Sequence, residues 1–148
     1  MAIIQEKTAC RVNDLNLMEY DKVYDLQKQY VHELLNGGTQ TLLLCEHPPA
    51  LTLGRLADEN HILIPKEELQ RRGVSIHHID RGGDITLHAP GQLVIYPILD
   101  LANFGKDLRS YLGQLEQVAI DLLWSFDIVA NRFPQQTGAW VGAKKIAS

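Results

Sequence analysis

Between residues 81 and 92 the chain reads Arg-Gly-Gly-Asp-Ile-Thr-Leu-His-Ala-Pro-Gly-Gln, its densest run of polar and glycine residues. Gly82 and Gly83 carry no Cβ, so the backbone there can approach a ligand closely and turn without clashing. In an extended segment Thr86 and His88 share one side and Ile85 and Leu87 the other. Pro90-Gly91 predicts a type II turn, with Gly91 supplying the positive φ. Spacing alone leaves two readings open: a ligand loop headed by Arg81, or a hairpin with tight turns and a surface arginine. No Gly-Lys-Ser/Thr follows, so this is not a Walker phosphate loop.

Other residues with chemical potential are scattered. His47, in Glu46-His47-Pro48-Pro49, follows an apolar run and reads either as a structural histidine at a strand end or as a general base. His77 and His78 point to opposite faces of a strand. With Cys45, His47, His61 and His88 far apart in sequence, metal-ligand spacing is missing and no metal is expected. Cys45 ends an apolar run and reads as a core thiol, with no neighbour in sequence to depress its pKa. Lys144-Lys145 reads as a solvated turn. Alternatively Lys145, opening the strand-like pair Ile146-Ala147, is a candidate base if desolvation lowers its pKa.

The elements that must position these residues follow from periodicity. Tyr20, Val23, Tyr24, Gln27, Tyr30, Val31, Leu34 and Leu35 keep helical spacing over 20–35, and Gly37-Gly38 stops the helix. Gln27 lies on the apolar stripe, so its amide needs partners if buried. A second helix is expected over 65–72, between Pro65 and Gly73. The longest runs over 108–126, with one apolar face for five turns. Strands are expected at 2–12, 41–45, 51–53, 93–98, 128–132, 138–141 and 145–147. Two more, at 74–79 and 85–88, flank Gly82-Gly83. Pro97 places its strand at an edge, or sits at the strand's end. This order lacks regular βα alternation and predicts an α+β fold, a mixed sheet with packed helices, as a single domain over 1–148.

Composition bounds the rest. The chain has 148 residues, 45% apolar and 22% charged, enough for one core. A net charge of −4 argues against nucleic acid or an anionic membrane surface as partner. The longest apolar run, 93–99, falls far short of the roughly 20 residues a membrane span needs. The start shows no signal-peptide pattern, so a cytoplasmic protein is expected. Two cysteines make no disulfide framework. The chain stops just after an apparent strand, and an unfinished sheet edge is expected there.

Taken together, these segments resemble those of the lipoyl(octanoyl) transferase family. Residues 81–92 match its R-G-G-x-x-T-x-H-x-P-G-Q signature, and Glu46-His47-Pro48-Pro49 with Thr52-Leu53-Gly54 matches E-H-P-P-x-x-T-x-G. Tyr96-Pro97-Ile98, Gly138-Ala139-Trp140-Val141 and Lys145-Ile146-Ala147-Ser148 follow in order, so the likeness runs from about residue 13 to 148. The resemblance implies a fold shared with biotin and lipoate ligases. It implies transfer of an octanoyl group from octanoyl-acyl carrier protein to a lysine of a lipoyl domain, on a 2-oxoacid dehydrogenase or the glycine-cleavage carrier protein, through a cysteine thioester and with no cofactor. It gives Lys145 the task of lowering the thiol's pKa or moving its proton. It places substrate contacts at Arg81, Gly82, Gly83, Asp84, Ile85, Thr86, Leu87, His88 and Ser148.

Leu87 and Ala89 depart from the family's usual Tyr and Gly. The family's H-G-x-A-L-N and P-C-G segments have no counterpart in these 148 residues, and neither Cys10 nor Cys45 matches the nucleophile. The chain is therefore expected to be inactive alone. Two alternatives compete: an ATP-dependent lipoate or biotin ligase of the same fold, and a non-catalytic module that binds acyl groups or lipoyl domains.

Overall fold

The computed structural model describes residues 9–148. They form two compact units, divided after Leu99. The first holds β1 (Cys10–Leu17), α1 (Tyr20–Leu35), β2 (Gln40–Glu46), β3 (Ala50–Leu53), α2 (Lys66–Arg71), β4 (Ser75–His78), β5 (Ile85–His88) and β6 (Val94–Ile98). The second holds α3 (Leu108–Trp124), β7 (Asn131–Phe133), β8 (Gln136–Val141) and β9 (Lys144–Ala147).

The first unit uses one plan twice. β1 and β2 run parallel, joined through α1, and β6 pairs antiparallel on the far side of β2. β3 and β4 run parallel, joined through α2, and β5 pairs antiparallel on the far side of β3. A parallel pair needs a long crossover, which each helix supplies. Both sheets are mixed and three-stranded, in the orders β1-β2-β6 and β4-β3-β5.

The central strands carry the core. Leu43 and Cys45 of β2, Ala50 and Leu53 of β3, Val23 of α1 and Leu69 of α2 are buried. α1 ends as Gly37-Gly38 requires. The Gly38 N–H reaches the Glu33 carbonyl at 2.9 Å, the Gly37 N–H reaches that of Leu34, and Gly37 takes φ +85°. The Gln27 Nε2 is buried and has no hydrogen-bond partner among the described residues, which costs about 1–3 kcal/mol.

In the first unit two expectations change. The strand expected at 2–12 is Cys10–Leu17, and residues 2–8 lie outside the described residues. It is an exposed edge strand of mixed polarity, so hydrophobicity does not mark it. The hairpin reading of 74–79 and 85–88 is also corrected, because β4 and β5 lie on opposite sides of β3 and do not pair. β3 is buried on both faces except at Leu51, and a central strand needs a partner at each edge. Pro97 sits on edge strand β6, one residue from its end, where a missing N–H is tolerated.

In the second unit β7, β8 and β9 form an antiparallel meander. Glu116 of α3 fastens it. Its Oε1 accepts the Gly138 N–H at 2.8 Å, and its Oε2 accepts the Arg132 Nε–H at 3.1 Å. No helix among the described residues is long and apolar enough to cross a membrane.

Candidate functional site

Register divides the residues of β5 between two faces. Thr52 pairs with Thr86 on one side and His77 on the other, and Ala50 pairs with His88 and Ser75. Laterally paired residues share a face, so Thr52, His77, Thr86 and His88 form a polar face. Leu51, Ile85 and Leu87 line the opposite one.

Arg81 folds onto the polar face instead of entering solvent. Its Nη2 donates to the Thr52 carbonyl at 2.8 Å, to Thr52 Oγ1 at 3.1 Å and to Thr86 Oγ1 at 2.9 Å, and its Nη1 donates to the Gly82 carbonyl at 2.9 Å. A planar fork with five N–H donors can hold two strands and a loop at once. The backbone of residues 54–56 is laced to this loop as well. The Gly54 N–H donates to the Asp84 carbonyl and the Arg55 N–H to the Arg81 carbonyl, both at 2.9 Å. A side chain at Gly54 would force the loop backbone to shift, because a Cβ there would lie 2.4 Å from the Gly83 carbonyl oxygen.

Next to this face lies a buried aromatic cluster. The Tyr20 ring is 4.8 Å from His77, 5.3 Å from His47 and 6.0 Å from His88, centroid to centroid. His47 is fully buried. Its Nδ1 donates to the Met18 carbonyl at 2.7 Å, since a carbonyl can only accept, and Nε2 then accepts from the Tyr96 hydroxyl at 2.9 Å. The structural reading of His47 is therefore the one realised: both ring nitrogens are committed to the fold. Burial raises the Tyr96 hydroxyl pKa well above its ordinary value, so it remains a donor. Cys45 lies 3.6 Å from His47, and burial pushes its thiol up to about 11. It is a core thiol, as the sequence indicated.

His88 is half-buried. Its Nδ1 is 2.8 Å from Gln92 Oε1, and its ring meets His47 edge-on at 5.4 Å. Burial first of all lowers its pKa below the ordinary imidazole value, helped by His47 and Arg81 and opposed by the hydrogen bond to Gln92. The turn expected at Pro90-Gly91 is present: the Gln92 N–H reaches the Ala89 carbonyl at 3.1 Å, and Gly91 takes φ +87°. Glu46 Oε2 holds that turn through the Gly91 N–H at 2.6 Å.

Asp84 turns away from the polar face. Its Oδ1 accepts the Asp58 N–H at 3.1 Å and its Oδ2 pairs with His61. The Asp58 bond first, then His61, holds its carboxyl below the usual range. Ile85 and Leu87 face a hollow of about 320 Å³ that Leu51, Leu69, Val74 and the segment 61–64 complete. Three of the segments read from the sequence thus converge in the first unit: 46–49, 81–92 and 96–98. Sequence reasoning missed Tyr20, Glu46 and Gln92 as partners in this cluster. Tyr20 read only as the first residue of a helical stripe, and the other two carried no signal outside their motifs.

Lys145 and Ser148 belong to the second unit. Lys145 is exposed on β9, and its Nζ lies 5.2 Å from the centroid of the Trp140 ring. The solvated-turn reading is corrected, since both lysines lie on the strand and the turn falls at Gly142. Gly138 holds β9 close, because a Cβ there would meet the Ala147 carbonyl oxygen at 2.3 Å. Ser148 is exposed just past β9.

Mixed three-stranded sheets with crossover helices and a glycine loop laced to a central strand make an α+β fold, one that solved lipoate protein ligases share. Solved structures agree at the level of fold. A putative lipoate protein ligase from T. acidophilum superposes with a TM-score of 0.67 at 14% identity, over 93% of this chain and 60% of that one. A lipoate-protein ligase A bound with ATP gives 0.69 at 14% identity, over 93% and 59%. The family model for the lipoyl protein ligase A/B catalytic domain matches residues 19–148, and the chain belongs to that family. It is 42% identical over 134 residues to an octanoyltransferase of Bacteroides fragilis, covering 86% of this chain and 61% of the relative. It is 44% identical over 138 residues to one of Caldicellulosiruptor saccharolyticus, covering 90% and 58%. The chain spans about three fifths of the length of these curated relatives.

Proposed function

We propose that this protein is an octanoyltransferase of protein lipoylation. Octanoyl-acyl carrier protein is the donor. The acceptor is a lysine of a lipoyl domain, on a 2-oxoacid dehydrogenase or the glycine-cleavage carrier protein. A cysteine thiolate attacks the donor thioester and releases the carrier's thiol; the acceptor amine then attacks the enzyme thioester and regenerates the cysteine. Lys145 stabilises that thiolate or takes the proton that its thiol gives up. The observation that carries this reading is the convergence of segments 46–49, 81–92 and 96–98 on the polar face and the aromatic cluster beside it, in a chain 42–44% identical to octanoyltransferases.

The acyl thioester belongs at the polar face, with Arg81, Gly82, Gly83, Thr86 and His88. Ile85 and Leu87, across the sheet, and Asp84, tied to the segment 58–61, support the loop from behind. Ser148 is a further substrate-binding residue. Cys45 is not the nucleophile, being buried against His47 with a thiol held protonated to about pH 11. The thioester belongs to the family's P-C-G cysteine, which neither Cys10 nor Cys45 matches.

Parallel calorimetric titrations with octanoyl-acyl carrier protein and with ATP test the reading against an ATP-dependent ligase. Heat from the acylated carrier and none from ATP is the expected result. Heat from ATP alone overturns it.

A further inference from the structure

The Gln92 amide can adopt only one orientation between its two partners. Its Nε2 is 3.3 Å from the Leu87 carbonyl, which can only accept, so the amide NH₂ must face Leu87. Oε1 therefore faces His88, 2.8 Å from Nδ1. An amide oxygen also only accepts, so the proton between them belongs to His88. The side chain is itself placed from outside: the Ala89–Gln92 turn fixes its backbone, and Glu46 grips that turn through the Gly91 N–H at 2.6 Å.

We infer that Gln92 is a positioning residue that holds the His88 imidazole as its Nδ1–H tautomer and leaves Nε2 as the ring's acceptor. His88 Nε2 makes no hydrogen bond among the described residues, and the ring lies on the face that carries Thr86 and the Arg81 guanidinium. A free ring acceptor there fits an amine or amide N–H of an acyl-transfer substrate. The use made of His88 rests on the octanoyltransferase reading; the tautomer itself does not.

The groups facing His88 are Tyr20 from α1, His47 after β2, Arg81 from the glycine loop and Gln92 from its own turn. Only Gln92 bonds Nδ1, so it alone selects the tautomer. In the histidine ¹⁵N spectrum of the 148-residue chain, assigned with His88→Asn, His88 is expected as Nδ1–H above its pKa. Gln92→Leu should lower the Nδ1–H to Nε2–H ratio about three- to tenfold, the weight of one hydrogen bond. Gln92→Glu keeps an acceptor at the same place, so it should retain Nδ1–H and raise the His88 pKa. A wild-type His88 that is mainly Nε2–H overturns the inference, as does an unchanged tautomer in Gln92→Leu. If Gln92→Leu does not fold, the wild-type tautomer and the Gln92→Glu titration still decide. If the chain binds no acylated carrier while His88 shows the Nδ1–H tautomer, the functional reading fails and this one stands.

Discussion

The Tyr96 hydroxyl lies 2.9 Å from His47 Nε2, joining an edge strand to the buried end of the central strand beside it. Tyr96→Phe removes the donor and leaves a buried ring nitrogen without it, so the expected loss is about 1–3 kcal/mol. Urea unfolding of the two proteins measures it. A loss under about 0.5 kcal/mol would mean that the bond is not made in solution.

Gly54 is the closest contact behind the glycine loop. Gly54→Ala brings a methyl carbon to 2.4 Å from the Gly83 carbonyl oxygen, a backbone atom that cannot rotate away. A cost at or above the usual 1–3 kcal/mol of overpacking is expected, together with faster amide exchange at Gly54, Arg55 and Leu56. Unchanged exchange at all three would contradict the lacing described.

Cys45 and Cys10 should differ sharply toward iodoacetamide. Cys10 is exposed and Cys45 is buried with a thiol pushed up to about 11. Against a thiol at the ordinary 9.0, that lowers the thiolate fraction roughly 100-fold at pH 8, before access is counted. Mass spectrometry of the native protein should find Cys10 alkylated and Cys45 intact. Equal labelling would reopen Cys45 as a nucleophile.

His88 gives the chain a pH dependence of known sign. Its pKa is lowered in the folded state, chiefly by burial, so below about 6.5 the unfolded chain binds more protons at this site. The stability that His88 contributes is complete above about pH 6.5 and is lost as pH falls through its folded pKa. His88→Asn should flatten that part of the stability profile. A wild-type profile with no slope below about pH 6.5 that this substitution removes would contradict the burial of the ring.

Much of this was legible in the sequence because it depends on local rules. The helix Tyr20–Leu35, its Gly37-Gly38 stop, the strand Ile85–His88 and the Pro90-Gly91 turn all follow from periodicity and turn chemistry. Strand neighbours were not legible. Nothing local says that β3 separates β4 from β5, since pairing depends on contacts distant in sequence. The candidate site shows the same division. The motif residues could be read, but Arg81 reaching Thr52 and Asp84 turning to His61 depend on tertiary placement. β1 was misplaced because an exposed edge strand needs no alternating pattern.

The most direct measurement is octanoyl transfer itself. Residues 1–148 are supplied with the part of the Bacteroides fragilis relative that this chain does not cover, and mixed with octanoyl-acyl carrier protein and a lipoyl domain without ATP. The intact mass of the lipoyl domain is then followed. One octanoyl amide per lipoyl domain is expected, lost in Lys145→Ala and absent when residues 1–148 act alone. Transfer by residues 1–148 alone through a thioester on Cys45, or octanoylation only when free octanoate and ATP are supplied, would contradict it.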